Sequence, residues 1–230
     1  MGAAAGRGML PVMCGRFSLT VADLASLARA WAADLDALLA AQWRPRFNVA
    51  PGQVHPLLRE VAGRRRLDPA TFGLSGPRGT LLPNARSETA ASRRTFARPL
   101  REARCAVPVD GFYEWEGPPS ARRPSWFHRA DGGPLLLAAV AATAPDGRLG
   151  FSILTTDAVE PVVRLHDRMP VVLPPGLVGP WLAAGPPPPI PAPVPGQLSA
   201  RPLSPRVNSI AHDDPACLEP LGPEGQLKLL

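Results

Sequence analysis

Met13-Cys14 sets a thiol directly behind a methionine that can serve as a start. With Met13 removed, Cys14 is the first residue and carries a free α-amine and a thiol two carbons apart. Such a 1,2-aminothiol condenses with aldehydes as no internal residue can: the amine forms an imine, and the thiol closes on it as a five-membered ring. An internal cysteine is more often buried and inert, so Cys14 needs company. Asn84, Arg86 and Glu88 fall within five positions at an expected loop-to-helix junction, where free backbone N–H groups favour anions. Glu114 sits in Gly111-Phe112-Tyr113-Glu114-Trp115, among aromatics that would desolvate its carboxylate and raise its pKa towards acid–base use. Strand alternation offers the competing placement, an outward carboxylate beside inward rings. His166-Asp167-Arg168 puts the side chain best suited to proton transfer near neutral pH in one turn with an acid and a base. His55, His128 and His212 read as structural.

Other chemistries are not indicated. There is no Gly-x-Ser-x-Gly elbow, no Gly loop ending in Lys-Ser/Thr and no Gly-x-Gly-x-x-Gly fingerprint, which argues against a serine hydrolase and a nucleotide cofactor. Cys14, Cys105 and Cys217 are too few for a disulfide framework and fit no zinc spacing. No metal and no cofactor are expected. A chain of 230 residues, 45% hydrophobic, fits a globular protein with a substantial core. It has no apolar run of about 18 residues for a membrane span and no apolar stretch of signal-peptide length in residues 1–12. The cytoplasm is the expected compartment. The net charge of +6 comes almost wholly from arginine, Lys228 being the one lysine. Codon bias with a solvated basic surface accounts for this. So does phosphate binding, because Arg forks grip phosphate oxygens in pairs.

The elements that must position these groups are mostly short strands. Apolar residues at helical spacing predict one helix over residues 20–42, with Thr20 and Asp23 as its cap. Strands are expected at 54–60 and 67–74 around a basic turn at 63–66. Ser87 is expected to cap a helix to about Phe96. Strands at 104–109, 112–116, 125–129, 135–142, 150–156 and 169–173 follow, with a turn at Asp110-Gly111. Residues 159–165 and 176–184 read as short helices, 185–196 as a stiff proline-rich loop, and 205–208 as a last strand. This pattern predicts an α+β fold whose mostly antiparallel sheet curls into a barrel-like core with flanking helices.

Five motifs, in order, carry a resemblance: Met13-Cys14-Gly15-Arg16-Phe17, Arg46-Phe47-Asn48-Val49-Ala50-Pro51, Asn84-Ala85-Arg86-Ser87-Glu88-Thr89, the segment from Arg104 to Trp115, and His166-Asp167-Arg168-Met169-Pro170. Together they resemble the SRAP family, the SOS response-associated peptidase domain. The resemblance implies a domain over 13–222, a disordered or miscalled extension at 1–12, and a tail at 223–230. It implies a DNA-damage function: covalent capture of abasic sites in single-stranded DNA through a thiazolidine on Cys14, exposed by removal of residues 1–13. By the same resemblance Cys14 is the nucleophile, Asn84 orients the cross-link, Glu114 is the acid/base, and His166 serves proton transfer and reversal. Arg16 and Arg86 would hold phosphates, with Asn48, Phe72 and Arg168 in the DNA-binding set and Asn48 shaping the site. Phe72 stands where the family has tryptophan, so it either stacks on bases or belongs to the core. The implied partner is single-stranded DNA, with no membrane and a monomeric chain. A self-processing cysteine peptidase without a DNA role and a passive single-stranded DNA-binding module are the alternatives.

Overall fold

The protein is described here by a computed structural model covering residues 15–222. Cys14, the extension at 1–12 and the tail at 223–230 lie outside the described residues. Along the chain run β1 (Phe17–Leu19), α1 (Leu24–Ala30), β2 (Ala33–Leu35), α2 (Ala37–Gln42), β3 (Arg46–Val49), β4 (Val54–Val61), β5 (Arg64–Phe72), β6 (Leu74–Ser75), β7 (Leu81–Leu82), β8 (Asn84–Arg86), α3 (Ser87–Ala90), α4 (Arg94–Glu102), β9 (Arg104–Val109) and β10 (Gly111–Glu116). Then follow β11 (Arg123–Arg129), β12 (Leu135–Thr143), β13 (Leu149–Asp157), β14 (Arg168–Pro170), α5 (Val178–Leu182) and β15 (Leu198–Pro202).

The strands form two main sheets. One has the order β15-β11-β10-β1-β3. The other runs β13-β12-β9-β4-β5 in antiparallel pairs and closes on itself where β5 pairs parallel with β13, Thr71 opposite Gly150 and Phe72 opposite Phe151. Closure requires Gly150, because a Cβ there would lie 2.9 Å from the carbonyl oxygen of Gly73. The expected antiparallel, barrel-like core is what the chain forms. Its longest hairpin, β4–β5, turns at Ala62 (φ 51°) and Gly63 (φ 75°), the left-handed pair that suits the twist of a two-residue hairpin.

Alternation decides which side chains meet. Phe17, Phe112 and Phe127 of the five-stranded sheet pack against Leu57, Phe72, Val107, Leu137 and Phe151 of the ring in a shared core. The ring's other face, with Leu58, Leu67, Ala106, Val140 and Leu154, is covered by the helices. Arg104 is buried there: its guanidinium donates to the carbonyls of Leu100 at 2.9 Å and Trp181 at 2.7 Å, and also to Ala183 and Gly185. One cation thereby bonds carbonyls in the last turns of α4 and α5 and just after α5.

Several expected elements differ. The helix over 20–42 is broken. α1 stops at Trp31, Ala32 turns with φ 51°, and β2 adds to the edge of β5 with Ala33 opposite Arg65. Asp36 then starts α2 by accepting the N–H of Leu39 at 2.8 Å. The helical spacing survives the break because both helices face the same cluster. Ser87 opens α3 rather than capping it, and the helix ends within one turn, as the carbonyl of Thr89 takes the N–H groups of Ser92 and Arg93. Residues 205–208 form a 3-10 turn, not a strand, capped by Ser204. Asp110-Gly111 is no hairpin but the corner where the chain leaves the ring for the other sheet. Gly111 is bare because a Cβ there would meet the carbonyl oxygen of Phe127 and, at 2.5 Å, the Trp126 indole.

His55 is wholly buried in β4, its Nε2 donating to the carbonyl of Pro108 at 2.7 Å. Burial, and after it the charge of Arg46, lower its pKa to about 3 against an opposing bond to Pro108. In the unfolded chain it takes up its proton near pH 6.5. Stability is therefore whole above pH 6.5 and falls as pH drops from there towards 3, by up to about 1.4 kcal/mol per pH unit. Urea unfolding at pH 7 and pH 5 is expected to show this loss in the wild type and a much smaller one in His55→Leu. Equal losses would place the acid sensitivity elsewhere.

Candidate active site

The end of β13 gathers two of the motifs. β8 lies parallel to it, with Asn84 opposite Ile153 and Arg86 opposite Thr155. β14 lies antiparallel, with Arg168 opposite Asp157. Ala85 points to the helix-covered face, so Asn84 and Arg86 project to the other, towards the five-stranded sheet. Arg86 is exposed, and Asn84 is half-buried.

Glu114 comes from that opposing sheet. It shares a face of β10 with Phe112, whose ring is in the shared core, and is 3% exposed. The alternative of an outward carboxylate is thus not what forms: Tyr113 and Trp115 take the other face. Phe17 pairs with Phe112, and the N–H of Tyr113 donates to the carbonyl of Arg16 at 3.0 Å. Continuing this register sets buried Gly15, the neighbour of Cys14 in sequence, opposite Glu114.

Arg16 is held from three directions. Its guanidinium donates to Asn48 Oδ1 at 2.7 Å and to the carbonyls of Val207 at 2.9 Å and Asn208 at 3.4 Å. It also lies 5.7 Å from the centre of the Trp115 ring. None of these partners is a carboxylate. Burial lowers its pKa from the usual arginine value, and nearby Arg122 acts in the same direction while Tyr113 opposes. An uncompensated, half-buried cation favours an anion beside it. Asn48 is fully buried, and its amide donates to the carbonyls of Val207, Ser209 and His212 at 3.2, 3.0 and 2.8 Å. Asp213 completes the joint, accepting from the backbone of Phe47 and Asn48 at 2.6 and 3.0 Å and from Arg46 at 2.5 Å.

Arg168 is buried at 5% exposure. It donates to Glu88 at 2.8 Å, to the carbonyl of Thr155 at 2.8 Å and to Asp157, so its charge is already matched. Its backbone N–H donates to Nδ1 of His166 at 3.0 Å. Asp167 stands at the same 3.0 Å from that nitrogen, a contact that bonds only when Nδ1 carries a proton. The amide is a fixed donor and Asp167 a mostly exposed side chain, so neutral His166 keeps its proton on Nε2. A cavity of about 420 Å³ opens beside this clamp, between Glu88, Thr156, Asp157 and residues 190–193. Phe72 is elsewhere. It is fully buried, stacked on Phe151 with ring centres 5.3 Å apart, and no base reaches it without opening the core. A cavity of about 440 Å³ on that side of the molecule, beside Gly73, Leu81 and Gly150, is lined by none of the site residues.

Glu88, Asp157, Asn208 and Asp213 hold these side chains without having been singled out for it in the sequence. Glu88 lay within a recognised motif. The other three are isolated polar residues in loops or at strand ends, and only the folded chain gives them partners.

The SOS response associated peptidase (SRAP) family matches the chain over residues 13–210. The abasic site processing protein YedK of Escherichia coli (strain K12) is 36% identical over 179 residues, 74% of this chain and 79% of its own. The abasic site processing protein YoqW of Bacillus subtilis (strain 168) is 30% identical over 70% of this chain and 76% of its own. A crystal structure of a protein from Bacteroides thetaiotaomicron superposes with a TM-score of 0.74, covering 91% of this chain and all of that one; at 18% identity it speaks to the fold alone.

Two measurements test this geometry. Asn48→Ala strands three carbonyls and one arm of Arg16, and is expected to cost on the order of 3 kcal/mol in urea unfolding. A change under about 0.5 kcal/mol would show that the joint contributes little. In ¹⁵N NMR of the histidine rings near neutral pH, neutral His166 is expected to show a protonated Nε2 and a bare Nδ1; the reverse tautomer would contradict the bond from Arg168.

Proposed function

The chain belongs to the SOS response associated peptidase (SRAP) family, and on that footing we propose that it captures abasic sites in single-stranded DNA through Cys14. The relatives named above are abasic site processing proteins. The observation that carries the proposal is the meeting of two sheets. Asn84 lies on the ring strand β8, with its side chain away from the helices, Glu114 is buried on the face of the other sheet that packs on the ring, and the strand register leads to Gly15, one residue from Cys14.

The chemistry needs Cys14 as the first residue, through a start at Met13 or cleavage before Cys14. The ring-opened abasic sugar presents an aldehyde. An α-amine with pKa near 7.7–8.0 is neutral in about a tenth of molecules at pH 7 and attacks it to give a carbinolamine. Loss of water needs a proton for the departing hydroxyl, and Glu114 or His166 supplies it. The Cys14 thiol then adds to the imine carbon as its proton passes to the nitrogen, and a thiazolidine closes. Overall, amine, thiol and aldehyde give one ring and one water. Holding the reactants together supplies much of the rate. The ring leaves no iminium to drive strand cleavage by β-elimination, so the lesion is protected. Arg86 is exposed for a flanking phosphate. Arg16, a cation without a carboxylate partner among the described residues, fits a second.

Protein beginning at Cys14 is expected to form a denaturant-stable adduct with abasic single-stranded DNA on a gel. Cys14→Ala should abolish it, and Glu114→Gln should slow it about 100-fold or more. Adduct from Cys14→Ala at the wild-type level would sink the proposal.

A further inference from the structure

Most surface arginines of this protein are neutralised one by one. Arg29 meets Asp23, Arg64 meets Asp34, Arg123 meets Glu116, Arg148 meets Asp146, Arg164 meets Glu160 and Arg206 meets Asp214. Arg78 and Arg122 stand exposed without a carboxylate partner among the described residues, and the stretch from Arg86 to Arg101 gathers four more. Arg86, Arg93, Arg94 and Arg101 are exposed, and none has a carboxylate partner among the described residues. Arg98 pairs only with Glu102 of its own helix, at 2.7 Å.

Their placement is ordered. Arg94, Arg98 and Arg101 stand at i, i+4 and i+7 of α4 and share its solvent face, while Pro99 and Leu100 are buried beneath. From Arg94 to Arg101 the helix rises about 10 Å at ~1.5 Å per residue. Like charges at this spacing weaken a helix, and of the three only Arg98 has an acidic partner, Glu102. Arg86 stands two residues after Asn84, at the edge of the ring, and α3 and α4 follow it in the chain over the helix-covered face. A polymer of regularly spaced anions is the ligand such a row fits.

We infer that the arginines of α3–α4 form a second contact surface, a track for the phosphodiester backbone of the strand flanking the nucleotide held at the site. This rests on the abasic-site proposal above, because it takes the bound ligand to be a nucleic-acid strand. Arg86 belongs to both surfaces; Arg93, Arg94 and Arg101 belong to the track alone. The track adds affinity and direction without touching the reacting atoms.

The test uses Arg93→Ser/Arg94→Ser/Arg101→Ser and a matching triple lysine variant, with melting temperatures confirming the fold. Binding is measured by fluorescence anisotropy against salt, on abasic oligonucleotides extended on one side or the other of the lesion. The serine variant is expected to bind at least tenfold more weakly when one particular flank is present, and equally well when only the other is. Its slope of log K against log salt should fall by about 2, at ~0.7 per lost phosphate contact. The lysine variant should restore the slope, and adduct yield at saturating short DNA should stay at the wild-type level. Unchanged affinity, or equal loss on both flanks, overturns the track while leaving the capture chemistry standing. Wild-type protein that binds neither oligonucleotide overturns both.

Discussion

The buried amide of Asn48 is the joint on which the site depends. A fully buried amide must spend all of its hydrogen bonds inside the protein. Asn48 spends its donors on three carbonyls of the segment after β15 and its oxygen on Arg16. Two stretches more than 150 residues apart are tied to one side chain on β3. Asp213 fastens the segment after β15 to β3 a second time, through the backbone of Phe47 and Asn48. The beginning of the described chain is thereby fixed in direction as well as in place. For a function that requires an exact position of the chain's start, this is the constraint with most consequence. A free terminus otherwise frays.

The second constraint is the crossing at Asp110. β9 belongs to the ring and β10 to the other sheet, with one residue between them. The Asp110 carboxylate accepts the N–H of Thr20 at 2.5 Å, and burial raises its pKa although that bond opposes the shift. A corner this tight puts inward residues of both sheets on one core. Glu114 therefore looks across at the ring from the same face as Phe112. Half-buried Asn84 projects from the other side, on β8, which is fixed to β13 by its parallel register. The candidate site residues thus come from the facing sides of the two sheets.

Strands whose apolar residues run continuously or alternate were legible. β9, β12 and β13 are buried on both faces and read as apolar runs, and the β4–β5 hairpin reads from its turn. The break at Trp31-Ala32 was not legible, since the apolar spacing continues through it and only the free edge of β5 calls for β2. Residues 205–208 were misread for a related reason. Val207 is an apolar anchor on a 3-10 turn, and Val-Asn beside proline looks the same in a short strand. Glu114 and His166 were legible as candidates from residue type and neighbours. Arg168 was legible as part of the His166 motif, and its neutralisation by Glu88 and Asp157 needed α3 and β13 in place.

The sequence by itself determined the family, through five motifs in order, and with it the candidate chemistry of Cys14, Asn84, Glu114 and His166. It determined the fold class through the spacing of apolar residues and turns, because those patterns are local. Only the tertiary structure decided which face each candidate takes. It put Glu114 inside and Phe72 in the core, and it made Arg168 a clamp for His166. It also turned Asn48 from a motif position into the anchor of Arg16 and of the segment after β15. The physical reason is that a side chain's role is set by its partners, and here those partners lie many tens of residues away, joined by sheet register and by the satisfaction of buried polar groups.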